Sequence, residues 1–232
     1  MGTDANPVVK WVMKLLLKLS WSIGGGADDH PRVSGDEIEG LVAGLLPGDI
    51  VLMGNGGGLS HVGVHVGDGV VVHSMATEKT MRGVFGSLWD ALRRPVWWLK
   101  GVKERTGVIE ERLSAFYDRY ERDAYAVLRR AGLSSEQRSA GVARVRELIG
   151  KAYDYDFSPG DDEYYCSELV VEFLVVAEGQ APEFPTIDVN VPMILNAKAI
   201  EPISFLTSGH FDVVVVNEAA RLTYPEIWGS DR

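Results

Sequence analysis

Cysteine is nearly absent: Cys166 is the single one among 232 residues, so no internal disulfide can form. Histidine is scarce too, with five in the chain, and no Cys-x-x-Cys or His-Glu-x-x-His pattern occurs. Those absences remove the usual zinc frameworks, and no metal or cofactor is expected. Positive charge is in deficit, with 23 Lys and Arg against 33 Asp and Glu, a net charge of −10. That balance argues against a broad nucleic-acid footprint, and no nucleic-acid partner is expected. No uninterrupted apolar run reaches the roughly 18 residues needed to span a bilayer. Repeats and low-complexity segments are also missing.

What the sequence does hold is uneven. KWVMKLLLKLSW, residues 10–21, sets Lys14 and Lys18 on one side of a helix and Trp11, Leu15, Leu16 and Leu19 on the other. It reads as an amphipathic helix packed on its own domain or a partner, with membrane-surface contact and a weak export signal as alternatives. No clear signal peptide is recognised. A Gly, Asp and Pro rich linker, residues 24–37, follows, so residues 1–35 are read as an N-terminal appendage to a domain of residues 36–232.

That domain opens with β-rich pattern. LPGDIVLM, residues 46–53, runs from a turn into an apolar strand; HVGVHV and VVVHSM flank Gly-Asp-Gly as a hairpin; RRPVWWLKGV, residues 93–102, is a further strand candidate. From 107 to 150 the period changes. Leu113, Phe116, Tyr117, Tyr120, Tyr125 and Leu128, then Val142, Val145 and Leu148, recur at helical spacing, which predicts a two-helix insertion broken at Gly132. Cys166 falls at the start of a further helix that closes at Gly179, and residues 211–217 form a last strand.

Three of the five histidines, His61, His65 and His73, lie within residues 60–74. Hairpin register decides their geometry. A two-residue Asp68-Gly69 turn pairs Val64 with His73 and sends His73 to the face opposite His61. A three-residue loop pairs Gly63 with His73 and puts His61 and His73 on one face, roughly 7 Å apart at Cβ. His61 and His65 are about 13 Å apart along the strand, too far to share a metal. A nucleophile system is the better use of these residues: a thiol attacks as thiolate, which a helix N-terminus and an imidazolium both favour. The acidic Asp161, Asp162 and Glu163 work against it.

The ordered set LPGDIVL, SHVGVHVGDGVVVHS, GKAYDYDF with YYCSELV, and SGHFDVVVV resembles the circularly permuted branch of the NlpC/P60 papain-like superfamily. Its cysteine half is similar to YiiX/YebB-like proteins, and its histidine half to lecithin-retinol acyltransferase-like proteins. The resemblance implies an α+β fold, a small antiparallel sheet or half-barrel packed on the Cys166 helix. It implies Cys166 as nucleophile, His61 as general base and then acid, and His73 as the residue orienting His61. The third position is often acidic in this branch, and Glu78 is the alternative to His73. His65 is expected to be exposed or to lie near substrate, and His30 and His210 to be plain loop residues.

Acyl transfer through cysteine follows from the resemblance, but the acyl group does not. A cell-wall peptide or amide substrate is favoured over a lipid ester, and a non-catalytic binding module remains a third reading. Hydrolase character without an evident leader also suggests an antibacterial effector delivered to a target periplasm. An inhibitor or immunity protein would be the partner that reading adds.

Overall fold

The computed structural model describes residues 33–54, 58–76, 106–118, 123–158, 160–191 and 195–228. The expected helix at 10–21, His30, Glu78 and the strand candidate at 93–102 lie outside them. Within them, one six-stranded antiparallel sheet runs in the order β4-β3-β2-β1-β5-β8. Its strands are β1 (Ile50–Gly54), β2 (His61–Gly67), β3 (Val70–Met75), β4 (Gly107–Arg112), β5 (Ala124–Arg129) and β8 (Asp212–Val216). A separate hairpin pairs β6 (Ile187–Val191) with β7 (Leu195–Ala199).

Both faces of the sheet's central strands are covered, which is why β1 and β5 are almost wholly apolar and buried. Successive strand residues point to opposite faces. Ile50, Leu52, Val62, Val64 and Leu128 meet α3 (Ser135–Glu147) and α4 (Cys166–Glu178) through Val145, Leu169 and Phe173. Val51, Met53, Val71 and Val127 meet α1 (Gly35–Gly44) and α2 (Leu113–Asp118) through Ile38, Leu41 and Phe116. Short helices α5 (Pro202–Thr207), α6 (Glu218–Thr223) and α7 (Pro225–Trp228) complete the C-terminal part. This is the α+β arrangement the sequence implied. Among the described residues no helix is long and apolar enough to cross a membrane.

Three local expectations change. Residues 107–150 are not a pair of helices inserted into the domain: 107–112 and 124–129 are sheet strands, and only 113–118 and 135–147 are helical. The linker at 24–37 ends earlier than expected, because Ser34 accepts the Glu37 N–H and Glu37 accepts the Ser34 N–H, a capping box that starts α1. Between the Gly179 stop and the last strand, where no element was expected, the chain carries the β6-β7 hairpin.

The β2-β3 register combines both sequence options. Asp68 and Gly69 have φ of 53° and 65°, a tight two-residue turn of mirror-image type. A bulge between His65 and Gly67 then shifts the ladder, so that Val64 faces Val72 and His65 faces Val71. Extended by one step, this register sets Gly63 beside His73.

Candidate active site

His61 and His73 share one face of the sheet and touch. His61 Nε2 lies 2.9 Å from His73 Nδ1, and the rings meet edge to face with centroids 5.1 Å apart. Phe116 of α2 packs on both rings, at 5.7 Å and 4.8 Å. Gly63 makes this possible: a Cβ there would stand 2.5 Å from Val71 Cγ1 and 3.1 Å from His73 Cβ.

The second nitrogen of His73 reaches Glu111 on β4, Nε2 to Oε1 at 2.9 Å. His73 is fully buried and the Glu111 side chain 8% exposed, so water does little to screen this contact. With Glu111 ionised and both imidazoles neutral, the chain of protons has one consistent arrangement. His73 Nε2–H donates to Glu111, His73 Nδ1 accepts from His61 Nε2–H, and His61 Nδ1 carries the lone pair.

Cys166 approaches from the other face. It is the first residue of α4, where Glu168 Oε2 accepts the Tyr165 N–H at 3.0 Å. Burial pushes the thiol up to about 11, against the pull of the Val62 N–H, the Ser167 hydroxyl and the N–H groups of Ser167 and Cys166 itself. The Val62 contact locates the sulfur. His65 N donates to Asp49 O, so odd positions of β2 bond to β1 and the Val62 N–H points toward β3. Cys166 takes that N–H, at the seam between β2 and β3 and one residue from His61. Ser74 of β3 anchors the same helix start by donating its hydroxyl to Tyr164 O at 2.5 Å.

The loop feeding α4 is acidic, and its Asp154, Tyr155 and Asp156 are buried. Burial, and then the neighbouring Asp156 carboxyl, pushes Asp154 up to about 8. Burial likewise pushes Glu168 up to about 8, with the Tyr165 N–H acting the other way. Tyr153, beside the thiol, is raised well above the ordinary phenol range by burial and then by Cys166.

The other histidines are placed differently. His65, expected to be exposed or to lie near substrate, is 2% exposed and holds the turn before β1, with Nδ1 2.9 Å from Leu46 O. His210 sits in a loop with Nε2 3.2 Å from Glu183 O. Glu111 was missed by sequence reasoning because residues 107–150 read as helical. The signal available was Val108-Ile109 after Gly107, a β-branched pair that as a strand would put Ile109 and Glu111 on one face.

Residues 54–215 match the family described as permuted papain-like amidase enzymes, YaeF/YiiX, C92. The chain belongs to that family. That family is one of amidases, and its circularly permuted papain-like fold agrees with the mixed helix and antiparallel-sheet arrangement seen here. Over 51 residues it is 43% identical to the uncharacterized protein YiiX of Escherichia coli strain K12, a match that spans 22% of this chain and 25% of that protein. The crystal structure of the metalloprotein yiiX from Escherichia coli O157:H7 is also similar, with 19% identity, a TM-score of 0.48, and coverage of 74% of this chain and 97% of that one.

Proposed function

We propose that Cys166, His61, His73 and Glu111 are the catalytic apparatus of this amidase, and that it cleaves amide bonds in bacterial cell-wall peptides. The observation that carries the reading is the His61–His73–Glu111 chain, whose first member is followed on β2 by Val62, the residue that gives its N–H to the Cys166 sulfur. A thiol held near 11 is protonated at neutral pH, so a base must remove its proton as attack begins. His61 Nδ1 takes that proton, and the Cys166 sulfur forms a bond to the amide carbon. The carbonyl electrons move to oxygen, which the Cys166 N–H at the helix start stabilises. Collapse expels the amine with the proton from His61 and leaves a thioester; water, deprotonated by His61, then releases the acid. His73 holds the His61 ring in the right tautomer, and Glu111, through His73, favours the imidazolium that forms.

The family supports the amide bond, and the NlpC/P60-like motifs support the cell-wall peptide. The test is incubation of the protein and of Cys166→Ala with peptidoglycan fragments and with phospholipid vesicles, read by mass spectrometry. Cysteine-dependent release of peptides or amino acids is expected. Fatty-acid release or acyl exchange would move the enzyme to the lipid branch, and no product from either would overturn both. An antibacterial role goes with the cell-wall reading: periplasmic expression should lyse the host and Cys166→Ala should not, whereas harmless periplasmic expression of the active enzyme would refute it.

A further inference from the structure

We propose that the loop leading into the Cys166 helix, residues 154–163, binds a calcium ion through Asp154, Asp161 and Glu163. Each of the three offers a carboxylate oxygen, and these oxygens all lie within 4.8 Å of one another. A cation with ligand bonds of about 2.3–2.6 Å can bridge oxygens up to roughly 4.6–5.2 Å apart, so calcium fits the whole of that spread. Magnesium holds its ligands at about 2.0–2.1 Å, demands near-octahedral regularity and keeps several waters, so it is less suited to an all-protein carboxylate set. An all-carboxylate set is likewise a choice for a hard cation over zinc or copper.

Crowded carboxylates alone would not make a site; the buried ones do. Asp154 is fully buried, and its Oδ1 accepts the N–H groups of Asp156 and Phe157 at 2.9 and 2.8 Å, while Oδ2 is buried with no hydrogen-bond partner. Asp156, 2% exposed, repeats the pattern, with Oδ1 accepting the Ser158 N–H and Oδ2 buried without a partner. A buried carboxylate oxygen without a donor costs free energy unless a proton or a cation satisfies it. Protein cations do not supply the charge. Lys151 goes to Asp162, and Asp154, Asp156 and Asp161 have no ion-pair partner among the described residues. The loop also closes on itself as a chelating loop must: Ala152 bridges Glu163, Tyr164 N donates to Ala152 O at 3.0 Å, and Glu163 N to Asp161 Oδ1 at 2.9 Å.

The consequence reaches the nucleophile. Glu163 is three residues before Cys166, so the ion braces the approach to the helix start and offsets negative charge that opposes a thiolate.

The test uses the full-length protein freed of metal with EGTA and titrated with terbium chloride, exciting the tyrosines at 153, 155 and 164 that flank the ligands. A saturable signal displaced by calcium chloride and at least tenfold less well by magnesium chloride is expected. Asp161→Asn, on the half-exposed side of the loop, should weaken it at least tenfold, and Asp154→Asn should do the same if it folds. Asp188→Asn in the β6-β7 hairpin should leave it unchanged. No saturable signal, displacement by magnesium as easily as by calcium, or wild-type binding in Asp161→Asn would overturn the site. Cys166→Ala should bind terbium as the wild type does, so failure of the cation site and failure of the thiol chemistry are read separately.

Discussion

His73 Nδ1 stands 2.9 Å from His61 Nε2 while its other nitrogen stands 2.9 Å from Glu111 Oε1, so the orienting histidine is itself oriented by a carboxylate. A neutral imidazole is a weak third member by itself, because it fixes a ring without adding charge. Under the proposed mechanism Glu111 supplies the charge at one remove, from β4, a strand whose residues read as helical in the sequence, while Glu78, the acidic alternative to His73, lies outside the described residues.

The amide in Glu111→Gln tests that relay. Its NH2 can donate to His73 Nε2, which would put the proton on Nδ1 and, in turn, on His61 Nδ1, the nitrogen needed as base. A loss of kcat/KM on the order of 10²-fold is expected, within the range for a general base. Glu111→Asp should recover part of it. In Glu111→Ala the acidic limb of the kcat/KM profile should move to lower pH, since a nearby carboxylate raises an imidazole's pKa and its removal lowers it. A limb that stays in place would leave Glu111 a structural role only.

Cys166 reactivity should show the same division of labour. With the thiol pushed up to about 11, the thiolate fraction without a base still rises well above pH 9. His61→Ala should therefore alkylate slowly with iodoacetamide at pH 7 and faster at every step toward pH 10, while the wild type reacts readily near neutrality. Equal rates in the two proteins at pH 7 would remove His61 from the role of base.

How much of this was legible depended on whether local pattern and tertiary position agreed. The hairpin, the Cys166 helix and its Gly179 stop follow from local chemistry, and they appear as read. β5 does not, because AYAVLR lies inside a sheet covered on both faces and shows no alternation. Tyr125 and Leu128 then fall into helical spacing with Phe116 and Tyr117 by coincidence. The Glu111 contact shares that fate, since its strand is defined by pairing with β3 and not by its own residues. The face of His73 turned on one bulged residue, which no composition rule supplies.

Stability should fall from mildly acidic to mildly alkaline pH. Asp154 and Glu168 are raised from 3.8 and 4.5 to about 8, so the folded state holds protons that the unfolded chain has released. Their contribution is complete below the unfolded values and is lost as pH rises through the folded ones, between about 4 and 8. Melting temperature should be higher at pH 5 than at pH 8 in EGTA. Glu168→Gln, which keeps an oxygen for the Tyr165 N–H, should flatten the slope and raise the melting temperature at pH 8. An unchanged slope would show that Glu168 ionises freely.

Gly63→Ala separates fold from site. The added methyl would sit 2.5 Å from Val71 Cγ1 and 3.1 Å from His73 Cβ, so something at the centre of the β2-β3 pair must move. Overpacking of this kind costs about 1–3 kcal/mol, which a folded domain of ordinary stability survives. Activity has no such reserve, because the relay needs two 2.9 Å contacts at once and His73 makes both. The variant should keep a cooperative melt, lowered by several degrees, while kcat falls at least tenfold with KM little changed. A full-activity Gly63→Ala enzyme would show that His73 can shift without consequence, and with that the relay would lose its claim to the chemistry.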